Sequence, residues 1–374
     1  MTRALSAPVD LVLYGVGALG SLAIDCLKAG APLIRVVGAV DNASHLAGRR
    51  LADLRPDFEG AGDVVVRAKL RQCLAGLARP ANVALHMTES VLANIEGQLV
   101  EALEAGLNVV SASEAMFHPW LRFGDVAARI DAAARRGGVS ITGVGINPGF
   151  SFDSLPLMLA RATSGVTRVA ITRAIDVTGT GPGDIDHVGY ALLPEEFEAK
   201  IALGRIVGHM GAPESIACVA ERLGLRIDRV EERWSTETAA FPVDSGTPSL
   251  GMIAPGRVIG ITQTSVGLRA EQEIVTMRLV MYYRPERFGI EAADTIEIVG
   301  AHHVRASLKP AALSLFGAAN VIVNAAHDVV AAPPGLVSAL DFSIAGPMRG
   351  GFRYEADVST PVRSGLTRLK RVAL

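Results

Sequence analysis

Gly15-Val16-Gly17-Ala18-Leu19-Gly20 stands where an apolar, β-rich run gives way to a helical pattern, and an acid, Asp41, closes the next apolar run. Each position has a separate physical use. Gly15 allows a tight turn, Gly17 lets a pyrophosphate approach the backbone, and Gly20 lets a helix lie close on its sheet. The helix N-terminus, spanned by Val16, Ala18 and Leu19, faces the phosphates. Asp41, about 20 residues past the glycines, is placed to accept hydrogen bonds from an adenosine ribose. Its charge would repel a 2′-phosphate, which favours NAD; Asn42, Ser44 and the Arg49-Arg50 pair could still accommodate one. The expectation is a site for NAD(P). Glycines alone at such a turn are often structural, so the weight rests on strand, helix, second strand and acid occurring in register.

A second group could do chemistry on whatever the dinucleotide meets. Glu114 follows the run Leu107–Ser111, where an open parallel sheet builds its ligand crevice. A carboxylate there could take up a proton or stabilise a developing cation. Beside Ser113 it could equally be a helix cap or a solvent-facing residue. In Asn147-Pro148-Gly149, Pro148 keeps Asn147 off helical angles and Gly149 permits a sharp redirection. That arrangement can fix a carboxamide against a nicotinamide or a substrate, and it also suits a plain interdomain turn. Phe150 reads as a pocket wall and Asp153 as a charge at a helix N-terminus. His209, in Gly208-His209-Met210-Gly211, reads either as a pocket residue or as a buried, hydrogen-bonded histidine. Thr88 is placed against the cofactor through its hydroxyl or nearby amides.

The elements that must hold these residues follow a regular plan. Leu19, Leu22, Ala23, Cys26 and Leu27 share one helical face, and Gly30 stops the helix. Leu33–Val40, Asn82–Met87, Leu107–Ser111 and Val139–Gly143 read as strands; Val91–Ala105 and Phe123–Arg136 read as helices. This βα alternation predicts an α/β N-terminal domain, a doubly wound parallel sheet of the Rossmann kind. After Asn147 come longer alternating runs, Thr167–Ile175, Val258–Val266 and Glu273–Tyr283, which predict an α+β domain with a mixed, largely antiparallel sheet. The expected division is 1–147 for dinucleotide binding and 148–345 for substrate binding and dimerisation. Part of 320–345 is expected to pack back on the first domain, and 346–374 forms a basic tail of unassigned structure.

Composition removes several classes. With 36 basic and 38 acidic residues, net charge −2, there is no footprint for nucleic acid. Cys26, Cys73 and Cys218 are widely separated, which excludes a CxxC metal site, gives no sign of a disulfide framework and points to a reducing compartment, the cytoplasm. Arg3 before an apolar stretch suggests a leader, but Asp10 and the glycine turn interrupt it. No run reads as long enough to span a membrane. The 49% hydrophobic content suits a buried oligomer interface.

Four further segments carry a resemblance: NVVSASEAMFHP (108–119), GINPGFSFDSLP (145–156), GRIVGHMGAPESIACVAERLG (204–224) and NAAHDVVAAPPGLVSALDF (324–342). With the glycine turn they make nearly the whole chain resemble the dihydrodipicolinate-reductase-like superfamily. The branch is that of 2,4-diaminopentanoate dehydrogenases and native amine dehydrogenases. The resemblance implies an NAD(P)-dependent enzyme acting on CH–NH2 donors, interconverting a primary amine with a ketone or aldehyde and ammonia. It puts the catalytic glutamate at Glu114, maps His209 onto a family Gly-His element, in keeping with a substrate site shared with Asn147 and Phe150, and maps a family arginine onto Arg173, read here as an architectural ion-pair partner. It also implies either cofactor and a homodimer formed through the second sheet. One departure matters: HHVRASLK (302–309) has the paired histidine and lysine of dihydrodipicolinate reductases proper but no Asp-Ala-Pro-Ser-Gly-Thr after it. That argues against a cyclic dicarboxylate substrate, and His302 and His303 lack metal-ligand spacing, so no metal is expected. A reductase of C=O or C=C bonds and a non-catalytic dinucleotide sensor remain as alternatives.

Overall fold

The first strand, β1 (Val9–Tyr14), is buried at every position but Asp10, as a central strand covered on both faces must be. The computed structural model describes residues 8–30, 33–180, 185, 188–206 and 208–342, together with the backbone of 352–356 and 369–373. After β1 the chain forms α1 (Ala18–Lys28), which buries Ala23, Ile24, Cys26 and Leu27, with Leu19 and Leu22 packed at the margin. There follow β2 (Ile34–Val40), α2 (Leu51–Leu54), β3 (Val66–Arg67), α3 (Leu70–Ala75), β4 (Val83–His86), α4 (Leu92–Glu104), β5 (Asn108–Ser111), α5 (Gly124–Gly137) and β6 (Ser140–Gly143). Gly138, at φ +67, ends α5 in the left-handed conformation that only glycine adopts cheaply.

These strands, with β15 (Gly335–Leu336) from late in the chain, form a seven-stranded sheet of order β15-β6-β5-β4-β1-β2-β3, with every pairing parallel. The strand order reverses beside β1, so the carboxyl ends of β1, β4 and β5 open onto the crevice where such sheets bind ligands.

Past the cis Asn147–Pro148 peptide the architecture changes. The elements are α6 (Ser154–Ala160), β7 (Arg168–Asp176), α7 (Pro194–Ala202), α8 (Ala212–Leu223), β8 (Arg229–Thr238), β9 (Val243–Asp244) and β10 (Met252–Ile253). They continue as β11 (Val258–Arg269), β12 (Gln272–Tyr282), β13 (Ala293–Val299) and β14 (Val304–Leu308). The second sheet runs β14-β13-β7-β12-β11-β8, antiparallel except for β7 against β12. One face carries a core that includes Val169, Ile171, Ile261, Val275, Met277 and Ile296; the other is lined with threonines and charges.

The chain then returns to the first sheet. Helix α9 (Ser314–Ala331) packs on α1 and β5, and β15 (Gly335–Leu336) pairs with β6. At 18 residues and a mean hydropathy of 1.2, α9 is long and apolar enough to cross a membrane on composition alone. This corrects the expectation that no run reaches that length. Its buried Ala319, Ile322, Val323, Ala326 and Val329 instead form part of the first core. Two ion pairs hold α8 to the first half of the fold: Arg122–Glu214 at 2.5 Å near its start and Arg222–Asp341 at 2.8 Å near its end. Most of the expected tail, 346–374, lies outside the described residues; within it, Phe352–Ala356 and Leu369–Ala373 pair antiparallel.

Candidate active site

The glycine turn is shaped by close approaches that side chains would block. Gly15, at φ +104, would put a Cβ 2.5 Å from the Met87 carbonyl oxygen, and a Cβ on Gly20 would overlap the carbonyl of Gly15. Gly17 differs, since nothing lies within 4 Å of its Cβ position. It is also the N-cap of α1 and supplies no side-chain cap, so the first N–H groups of the helix are left to an incoming acceptor. An open backbone ahead of an uncapped helix N-terminus fits a pyrophosphate. Asp41 closes the same site: Oδ2 accepts the Val16 N–H at 2.9 Å and Oδ1 the Ala43 N–H at 2.9 Å. Each carboxylate oxygen retains a second acceptor direction, so this half-buried acid can brace the turn and still meet ribose hydroxyls.

Thr88, beyond the end of β4, is exposed, and its hydroxyl is engaged by protein: 3.0 Å from His86 Nε2 and 3.1 Å from Gln98 Oε1. The structure thus ties the Thr88 hydroxyl to a buried histidine that sequence reasoning did not single out. His86 is 1% exposed, and burial pushes its pKa down to about 4, which keeps the ring neutral.

Glu114 opens a single 3₁₀ turn, Glu114–Met116, directly after β5 at the carboxyl edge of the sheet. No side chain caps this turn; the Ser113 hydroxyl donates instead to the Ser90 carbonyl at 3.0 Å. The turn rests on β6, for a Cβ at Gly143 would overlap the Met116 backbone. Among the described residues the half-buried Glu114 carboxylate has no hydrogen-bond or ion-pair partner. It is therefore an acceptor open to an incoming cation.

Asn147 and His209 come together at one small cavity, with room of about 10 Å³, enough for one water-sized group. Phe152, Ala212, Met277 and Leu279 supply its apolar wall; Gln263 and Ser265 complete the polar part, and no described lining residue is charged. Phe150, expected as the wall, is not among the lining residues. The Ser151 N–H bonds back to the Ile146 carbonyl at 2.9 Å, and the chain emerges with Phe152 turned inward and Phe150 half-buried.

His209 is held by its backbone. Gln263 Oε1 accepts its N–H and Gln263 Nε2 donates to its C=O, both at 3.0 Å. Its Nδ1 lies 2.9 Å from the Met210 carbonyl, which can only accept, so Nδ1 carries the ring proton and Nε2 is left with a lone pair. Gln263 Nε2 also reaches Glu232 Oε1 at 3.1 Å, and the Ser265 hydroxyl donates to the same oxygen at 2.9 Å.

Asp153 stands at the N-terminus of α6 and is wholly buried. It accepts the Gly149 N–H at 2.9 Å, the Ser154 N–H at 2.6 Å and the Ser215 hydroxyl at 2.8 Å. Burial raises its pKa against these three donors. The carboxyl ties the Asn147-Pro148-Gly149 turn to α8, whose Gly211 would put a Cβ 2.5 Å from the Pro148 ring. Arg173 is likewise buried, pairing with Asp294 at 2.7 and 2.9 Å and donating to the Ala312 carbonyl at 2.6 Å. His302 lies in an exposed turn on Thr163, and no metal-binding group of His, Cys, Asp or Glu occurs among the described residues. Sequence reading missed Gln263, Ser265, Met277 and Leu279, although their spacing by two on adjacent strands puts each pair on one face.

Comparison with known proteins agrees with this architecture. The family described as 2,4-diaminopentanoate dehydrogenase C-terminal domain matches residues 150–358. A curated 2,4-diaminopentanoate dehydrogenase from Acetoanaerobium sticklandii is 26% identical over 347 residues, covering 92% of this chain and 96% of its own. Among solved structures, an amine dehydrogenase from Mycobacterium smegmatis superimposes with a TM-score of 0.76 at 23% identity, over 90% of this chain and 96% of that one. A dehydrogenase from Thermus thermophilus, solved with NAD and UDP-GlcNAcA, gives a TM-score of 0.51 at 16% identity, over 89% and 92%. These structural likenesses establish the fold.

Proposed function

The chain belongs to the 2,4-diaminopentanoate dehydrogenase family, and from that premise we propose that it is an NAD(P)-dependent amine dehydrogenase. Ketone or aldehyde, ammonium, NAD(P)H and a proton give the protonated primary amine, NAD(P)⁺ and water, or the reverse. The observation that carries the reading is the unpartnered Glu114 carboxylate at the carboxyl edge of the parallel sheet that also carries the uncapped glycine turn.

In this reading Glu114 takes a proton from ammonium, so that ammonia can attack the carbonyl, and returns it as the hydroxyl leaves as water. It then faces the cationic iminium, whose charge it stabilises. The bound nicotinamide supplies or accepts the hydride. Asn147 orients the reacting group through its carboxamide, and the His209 Nε2 lone pair accepts from a substrate N–H. Gly15, Gly17, Gly20 and the amides of Val16, Ala18 and Leu19 hold the pyrophosphate, Asp41 the ribose, and the Thr88 segment borders the cofactor. NAD and NADP are both used.

The cavity is lined by neutral groups and, at about 10 Å³, takes only one small group of a substrate, an uncharged carbonyl, with the cationic iminium or ammonium facing Glu114. We assign 1–147 with the returning α9 and β15 to dinucleotide binding, and the second sheet to the substrate. That sheet's outer face, with a hollow of about 290 Å³ between Trp234, Thr262, Thr276 and Arg278, covers itself in a two-fold homodimer. Cys26, Cys73 and Cys218 are free and buried, in keeping with the cytoplasm.

The test is NADH or NADPH oxidation with acetone, butan-2-one and cyclohexanone, each with and without ammonium. Ammonium-dependent oxidation is expected. Oxidation that ignores ammonium would make the chain a C=O or C=C reductase; dinucleotide binding without turnover would make it a sensor. Light scattering that finds a single 39.1 kDa species at micromolar concentration would remove the dimer.

A further inference from the structure

Beneath the carboxyl end of the parallel sheet, one connected run of hydrogen bonds leads from helix α4 to the residue before Glu114. Tyr14, His86 and Ser111 are register partners on β1, β4 and β5. Gln98 on α4 presents Oε1 to His86 Nε2 at 3.0 Å. That oxygen can only accept, so Nε2 carries the ring proton and Nδ1 is an acceptor. The Ser111 hydroxyl, 3.2 Å away, donates to Nδ1, and its oxygen accepts the Ser113 N–H at 3.2 Å. His86, Ser111 and Ser113 are all buried, and Tyr14 meets the imidazole edge to face at 5.3 Å. No side chain caps the Glu114 turn, so this bond to the Ser113 amide, together with the Ser113 hydroxyl's bond to the Ser90 carbonyl, helps set where the turn leaves the strand.

We propose that His86 and Ser111 are positioning residues for Glu114, fixing its carboxylate through the Ser113 amide while touching neither cofactor nor substrate. The inference rests on the reading of Glu114 as the catalytic carboxylate. A burial-held neutral ring suits the role, because protonation of Nδ1 would take away the acceptor that orients Ser111. A shift of about 1 Å in a reacting group can cost about 100-fold in rate, so a link worth little in stability can matter greatly for turnover.

The experiment compares Ser111→Ala, Ser111→Thr, His86→Asn, Glu114→Gln and the Ser111→Ala/Glu114→Gln double variant. Each is assayed for ammonium-dependent NAD(P)H oxidation with butan-2-one or cyclohexanone, for dinucleotide Kd and for Tm. Ser111→Ala is expected to lower kcat about tenfold or more with Kd unchanged. Ser111→Thr, which keeps the hydroxyl, and His86→Asn, which keeps an acceptor, should stay within about threefold of wild type. Ser111→Ala should cost nothing further once Glu114 is Gln. Wild-type kcat in Ser111→Ala, or an equal loss in the Glu114→Gln background, overturns the proposal while leaving Glu114 in place. If Ser111→Ala does not fold, loss of kcat in a folded Ser111→Thr or His86→Asn equal to that of Glu114→Gln overturns it too. Normal turnover in Glu114→Gln itself defeats the underlying reading, a different result.

Discussion

The glycine turn and the Asn147–His209 cavity are assembled from different distances along the chain. At the turn, Gly15, Gly17 and Gly20 are neighbours, and Asp41, 25 positions from Val16, reaches back over one βα unit to brace it. At the cavity, Gln263 holds His209 across 54 positions and Asp153 reaches Ser215 across 62. Arg173, which supports the same turn-and-helix region, reaches Asp294 across 121. A site held by local backbone geometry tolerates drift elsewhere in the fold. One held by long-range side-chain bonds depends on the whole second sheet being in register.

That contrast predicts where damage will be largest. Replacing Arg173 with Leu strands Asp294, which is 0% exposed, and should destabilise the fold by about 3–5 kcal/mol in denaturant titration. Pairing it with Asp294→Leu should recover most of the loss, since the uncompensated charge is then gone. If Arg173→Leu costs under about 1 kcal/mol, the second sheet is not held as described.

His86, on β4 between β1 and β5, should give a pH signature of about 3 kcal/mol. Its folded pKa, near 4, lies below the ordinary 6.5 because burial opposes the charged ring. From about pH 6.5 downward the unfolded chain takes up a proton that the native one refuses, so stability is complete above pH 6.5 and is lost as pH falls towards 4. His86→Asn should flatten that slope in denaturant titrations at pH 7 and pH 5. An unchanged slope would show that the ring titrates alike folded and unfolded.

The smallest effect belongs to the locally built side. Asp41→Ala should weaken NADH by about tenfold, near 1.4 kcal/mol, and NADPH by less, because the repulsion of a 2′-phosphate goes with the carboxylate. Equal affinities before and after, measured by fluorescence titration, would mean that Asp41 braces the turn and does not face the ribose.

The same difference in sequence distance explains what could be read without coordinates. The glycine turn, its strands and Asp41 are legible because their signals are short-range: period, turn residue and cap. The second sheet was legible as alternation and the Asn147 junction as a proline–glycine turn, which together gave the class of that region. The cavity wall was not. Phe150 and Phe152 both follow Gly149, and which ring turns inward depends on how the chain folds back on Ile146, whose carbonyl accepts the Phe150 and Ser151 N–H groups. Gln263 and Ser265 read as ordinary strand residues until β11 is laid beside the His209 loop. His86 read as part of a buried strand, and its partners on α4 and β5 emerge only from the parallel register.

The central claim, that Glu114 does the proton chemistry of amine formation, is tested most directly by Glu114→Gln, with dinucleotide Kd and ammonium-dependent NAD(P)H oxidation measured on the same preparation. Gln keeps the shape and removes the charge and the proton acceptor. The account predicts an unchanged Kd, because the dinucleotide is held by the glycine turn and Asp41, with kcat lower by about 10²–10⁴-fold. Near-normal turnover with the same Kd would contradict it and leave Glu114 as a solvent-facing residue at the start of a turn.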